Sequence, residues 1–145
     1  EEALASFHEE WRGDMLCTCT WLRLQSACEL GGNVDRVRAL LSHPSFDLKS
    51  PNKCYALARA FTASSVNFHA ADGSGYAFLA DAVLMMDKIN PQVAARCVAD
   101  FSCYKSYDTA RQALMLAELR RIAAAGPSNN VAEIVTRSLK QAEAA

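Results

Sequence analysis

Apolar residues recur along this chain at the three- and four-residue intervals of amphipathic helices, and no stretch sustains the period-two alternation of a strand. Leu4, Phe7 and Trp11 make one stripe over residues 3–11. Asp14 is placed to cap a second helix reaching about Leu30, with Leu16, Trp21, Leu24 and Cys28 as its apolar side and Gly31-Gly32 as its stop. Asn33 opens a third, in which Val34, Val37, Leu40 and Leu41 face inward until His43-Pro44. Ser50-Pro51 is a cap followed by a proline in the first turn, where its missing N–H has no partner to lose, and starts a fourth helix to about Thr62. The glycines of Asp72-Gly73-Ser74-Gly75 relax the backbone where Asp72 or Ser74 caps a fifth helix, carrying Tyr76, Leu79, Val83 and Met86 and stopping near Lys88. Asn90-Pro91 repeats the cap-and-proline start for a sixth over residues 92–103. Asp108 caps a seventh with Met115, Leu119 and Ile122, ended by Gly126-Pro127, and Asn130 opens a last helix with Val131, Ile134, Val135 and Leu139.

The pattern predicts an all-α fold of successive antiparallel αα-hairpins with short connections, able to stack as a solenoid-like array although no fixed-period repeat is visible. With 145 residues, 51% of them hydrophobic and 21% charged, the chain fits a single domain over residues 1–145, burying roughly two-thirds of its unfolded surface. A net charge of −1 supplies no broad field for phosphate backbones or anionic lipid, so neither nucleic acid nor a membrane surface is an expected partner. No apolar run approaches the roughly eighteen residues of a membrane span. The chain opens on Glu-Glu without a methionine, the expectation for a processed chain or a piece of a longer one.

Candidate chemistry changes this picture little. Cys17, Cys19, Cys28, Cys54, Cys97 and Cys103 include no C-x-x-C pair and read as small core residues; three bridges are arithmetically open, but so aliphatic a chain does not need them. Reducing, intracellular surroundings, cytoplasmic or organellar, are the expectation. A Cys17/Cys19 metal site is disfavoured, since a two-residue spacing sends the side chains to different sides of a helix. His8-Glu9-Glu10-Trp11-Arg12 begins like the H-E-x-x-H of zinc peptidases, but a permanently charged guanidinium cannot replace the second imidazole. His8 therefore reads as a surface or half-buried side chain. His69, Asp72 and Ser74 suggest an acid-base triad, yet three groups so close at a helix start fit capping better, with His69 bonding backbone carbonyls. Gly73-Ser74-Gly75 lacks the lysine and the preceding strand of a phosphate loop, and Met85-Met86 reads as packing.

Five stretches in order, ALASFHEEW near the start, HPSFDLKSPNK from His43, FHAADGSGYAFLAD from Phe68, NPQVAAR from Asn90 and YDTARQALM from Tyr107, resemble the C-terminal domain of the bacterial-type aminopeptidase N (alanyl aminopeptidase) family of zinc metallopeptidases. The resemblance spans nearly the whole chain. It implies the final portion of a superhelical domain of αα-hairpins that closes over a catalytic domain, restricts access to its chamber and supplies part of the wall. The parent activity it implies is removal of N-terminal residues from peptides by a zinc ion. The zinc-binding and catalytic motifs of that family are absent from this chain, so no cofactor and no independent catalysis are expected of it. Gln92 and Arg96 match the positions from which the helix after Asn-Pro lends polar side chains to the chamber, and their i, i+4 spacing puts them on one helix face. Arg96 there pairs with a peptide carboxylate or carbonyl, against the alternative of a solvated surface arginine. Tyr55 stands where bacterial members can carry an arginine, which weakens the expectation of a second cation from that helix. Expected partners are the parent catalytic domain and a peptide substrate. The alternative is a non-catalytic helical scaffold or subunit for protein-protein interaction in a larger assembly. Either role implies an exposed apolar docking face.

Overall fold

The computed structural model describes residues 2–144 and shows nine α-helices and one 3-10 helix, with no strand among these residues. They are α1 (Glu2–Trp11), α2 (Met15–Ser26), α3 (Asn33–Leu40), α4 (Pro51–Thr62), α5 (Ser65–Phe68), α6 (Ser74–Asp87), α7 (Pro91–Val98), the 3-10 helix Ala99–Ser106, α8 (Thr109–Ala124) and α9 (Asn129–Glu143). Four starts obey the capping chemistry read from the sequence. Asp14, Ser50, Asn90 and Asp108 each accept a backbone N–H three residues on, from Cys17, Lys53, Val93 and Arg111.

Consecutive helices pair as hairpins, α1 with α2, α3 with α4, α6 with α7 and α8 with α9. The hairpins stack so that α3, α6 and α8 form a first row, while the second helices of the hairpins, α2 on α4 on α7 on α9, form a second row. Between the rows lies an aromatic core: Phe61 meets Phe78 edge-on at 4.7 Å between centroids and Phe68 meets Tyr76 at 5.2 Å. On the first row Asp81 ties three hairpins together, accepting from Arg38 of α3 at 2.7 Å and Arg121 of α8 at 2.8 Å.

Several expectations are corrected. Helix α2 stops at Ser26, not Leu30, because Gln25 and Cys28 carbonyls are taken by the side-chain amides of Asn33 and Asn67, each at 2.8 Å. Its inward face is Thr18, Cys19, Trp21, Leu22 and Ser26; of the expected stripe only Trp21 is buried, and Leu16 and Leu24 stand 76% and 55% exposed. A one-turn helix, α5, was not expected. The α-helix after Asn90 ends at Val98 and continues as 3-10 turns, and α9 begins at Asn129. Gly73 adopts φ 76°, a left-handed conformation, and Asp72 accepts the Ser74 N–H at 2.9 Å. Gly75 has a different reason to be glycine: an added Cβ would lie 2.4 Å from the carbonyl oxygens of Asn67 and Phe68.

Candidate functional site

The second row of helices carries the candidate site. Helix α7 starts where Asn90 caps and Pro91 occupies its first turn, so Gln92 and Arg96 fall one turn apart, both exposed. Val93, Ala94, Cys97 and Val98 fix this orientation by filling the core on the opposite side. Arg96 donates to the Tyr55 hydroxyl at 3.3 Å, and its guanidinium carbon lies 5.9 Å from the centre of the Tyr55 ring. The two residues the sequence singled out are thus separated by role: Arg96 is anchored on α4, whereas Gln92 lies outside the groove that Arg96 lines.

That groove runs across α2, α4 and α7, with a volume of about 560 Å3. Its walls are Arg23, Tyr55, Arg59 and Arg96, and Ala27, Ala60 and Ala63 complete the lining. Arg23 and Arg59 were missed by sequence reasoning. A second cation does come from the helix that carries Tyr55, one turn further along, as Arg59. Arg59 approaches Asp100 only at 4.0 Å, and the other carboxylate oxygen of Asp100 accepts the Thr62 hydroxyl at 2.7 Å.

The remaining candidates resolve as structural. His69 does not bond backbone carbonyls through its ring. Its Nδ1 shares a hydrogen bond with the Tyr76 hydroxyl at 2.8 Å, its ring stacks on Tyr107 at 3.9 Å, and its own carbonyl accepts from Arg111 Nε at 2.8 Å. Burial, and then the nearby Arg111 charge, push the His69 pKa down, so the neutral ring is favoured. Burial pushes the Tyr76 hydroxyl up to about 12. Ser74 Oγ donates to Asp72 at 2.7 Å, which closes the loop without His69 and leaves no triad. His8 is half-buried, its Nε2 2.6 Å from Ser45 Oγ and its ring 4.2 Å from Trp21.

Cys19, Cys54 and Cys97 are buried, Cys17 and Cys28 half-buried and Cys103 exposed, all unpaired. Burial raises Cys54 to about 11 and Cys97 to about 12, which makes both inert core thiols at neutral pH. Among the described residues no three His, Cys, Asp or Glu side chains gather where they could hold a metal ion, so this part of the chain does not fit a zinc site. No helix among them is long and apolar enough to cross a membrane.

A two-row stack of helical hairpins defines the class as an all-α repeat array. Residues 1–140 match the family described as a domain of unknown function (DUF3458_C), ARM repeats. The chain is 38% identical over 141 residues to aminopeptidase N of Caulobacter vibrioides, covering 96% of this chain and 16% of that protein. Aminopeptidase N of Escherichia coli is 35% identical over 120 residues, covering 82% of this chain and 14% of that protein. The crystal structure of Legionella pneumophila aminopeptidase A in complex with aspartic acid superposes with a TM-score of 0.92 at 34% identity, over 96% of this chain and 16% of that one. The chain therefore belongs to the ARM-repeat family that forms the C-terminal domain of aminopeptidase N. It spans about one-sixth of the length of these relatives.

Proposed function

We propose that this chain serves as the C-terminal helical domain of a zinc-dependent aminopeptidase, residues 1–145 being the end of its superhelical domain. In this reading it closes the active-site chamber and governs peptide access, and the zinc, its ligands and the catalytic groups belong to the rest of the protein. The observation that carries the proposal is the match to aminopeptidase N over 96% of the chain together with a superposition at TM-score 0.92 on an aminopeptidase structure. Gln92 and Arg96 are assigned to the chamber wall. Arg96 suits this role because it is exposed, held in place by the neutral Tyr55 hydroxyl, and open to a carboxylate or carbonyl of the substrate. Six unpaired cysteines favour an intracellular compartment.

The apolar side chains left uncovered on the first hairpin, Trp11, Met15, Leu16 and Leu24, support a covering partner. In the main reading it is a neighbouring helical hairpin of the same protein and, beyond it, the catalytic domain. In the second reading, a scaffold or subunit, it is another protein. The intact mass of the polypeptide bearing this sequence separates the two. In a parent aminopeptidase, Arg96→Ala is expected to raise KM for longer peptides about tenfold and leave single-residue amides nearly unchanged. Equal loss on both substrates would make Arg96 structural and remove it from the wall.

A further inference from the structure

Three arginines on the first row and the three in the groove of the second differ in their partners. On the first row Arg38 and Arg121 share Asp81, and at the start of α8 Arg111 holds Asp108 at 2.7 Å. In the groove of the second row no lining residue is acidic. Arg96 has a neutral partner in Tyr55, and Arg59 reaches its one carboxylate, Asp100, only at the limit of an ion pair. Arg23 has no ion pair or hydrogen bond from its side chain among the described residues. Three separate helices thus bring like charges to a single cavity whose remaining lining, Tyr55 apart, is alanine, too small to fill it.

Like charges gathered with only one carboxylate, Asp100, at the limit of ion-pair distance oppose one another, and a cleft lined by one sign concentrates its field on whatever enters. The guanidinium fork matches the two oxygens of a carboxylate, donating two parallel N–H bonds to it. The rim adds a hydroxyl, and the alanines leave room for a main chain. We propose that this groove binds a carboxylate of a peptide, with Arg23 and Arg59 as its charged anchors beside Arg96. The proposal rests on the chamber reading above and names the substrate feature it selects. The carboxylate is either the C-terminus of the peptide or an acidic side chain, which present the same group to the fork.

The test is a titration of the 145-residue chain, followed by its arginine Nε–H and backbone amide resonances. Three probes are compared: Ala-Ala-Ala as the free acid, the same peptide as its C-terminal amide, and Ala-Glu-Ala amide. The acid should bind roughly tenfold or more tightly than the amide, with an advantage that shrinks as salt rises. Glutamine at both Arg23 and Arg59 should reduce that advantage below about twofold, and because both side chains are exposed the amide spectrum of the fold should persist. If Ala-Glu-Ala amide matches the acid, the carboxylate is supported and its source extends to side chains. Equal binding of acid and amide, no binding of either, or an advantage that survives the double substitution overturns the proposal. Binding is read without hydrolysis, so a parent protein that lacks aminopeptidase activity would sink the chamber reading separately from this result.

Discussion

Substituting Gly75 by alanine sets two effects of opposite sign against each other, and the structure decides between them. Gly75 lies in the first turn of α6 and does not have the positive φ of Gly32, Gly73 and Gly126, so helix propensity alone would make alanine better by up to about 1 kcal/mol. The methyl group, however, would sit 2.4 Å from two carbonyl oxygens and 2.7 Å from the Phe68 Cα. All three are backbone atoms, and no rotamer change can move them. Helix α5 must part from α6, and with it Phe68 and Asn67, both almost completely buried. Overpacking costs about 1–3 kcal/mol and occasionally more, and three backbone atoms this close put Gly75 at the upper end, above the propensity gain. For a chain of this size the net loss of about 2–3 kcal/mol lowers Tm by roughly 6–12 °C. Gly31→Ala is the matched control, with nothing within 4 Å of the added carbon and no positive φ, and should stay within about 0.5 kcal/mol. Urea and thermal unfolding followed by circular dichroism measure both. A Gly75→Ala chain within 1 kcal/mol of the parent would show that the α5–α6 approach is not a packing constraint.

Asn67→Ala should cost about 2–4 kcal/mol, because the Asn67 amide accepts the Asn33 N–H at 3.1 Å and donates to the Cys28 carbonyl and Ser64 Oγ, and the orphaned groups stay buried; hydrogen exchange should accelerate first at residue 33, and an unchanged rate there would refute the bridge. The pH dependence follows from His43 and His69, both held below the ordinary 6.5 by burial, then by His8 and Arg111 respectively. A depressed histidine binds its proton more readily in the unfolded chain, so its contribution is complete above about pH 6.5 and is lost as pH falls from there through the folded-state value. His69→Gln should flatten unfolding free energy between pH 7 and 5, and an unaltered slope would count against the assignment. Leu16→Glu with Leu24→Glu should leave the Tm of this chain nearly unchanged while destabilising a longer protein in which α2 is covered; equal effects in both would remove the docking face.

Where the fold was legible, a single local interaction determined the outcome. Asp14, Ser50, Asn90 and Asp108 are caps because a short acceptor side chain and the free N–H groups of the next turn lie within three residues, whatever the remainder of the chain does. Helix α2 was misread for the opposite reason. It is apolar on two sides, one buried with Cys19 and Leu22 and one left open at Leu16 and Leu24, and periodicity cannot say which of two apolar stripes a distant element will cover. Its early stop was equally hidden. It depends on the amides of Asn33 and Asn67, the latter some forty residues along the chain. Helix α5 is a single turn, too short to show a period.

The candidate groove shows how a repeat can be invisible as sequence similarity and present as geometry. Arg23, Arg59 and Arg96 belong to three different hairpins and share no local motif, so reading each helix alone makes each one an ordinary solvated arginine. Their separations are a little under the roughly forty residues of a HEAT or armadillo unit, and that recurrence was the available signal. Stacking converts it into proximity, because equivalent positions on successive second helices lie side by side along one face. The same stacking explains why Asp81 quiets the first row. One carboxylate on α6 reaches arginines on both neighbouring helices, and no equivalent acid stands among the groove residues. If the second row only needed to pack, a carboxylate at one of its alanine positions would relieve the repulsion as Asp81 does. Alanines at those positions instead keep both the charge and the space, the combination a carboxylate-bearing ligand requires.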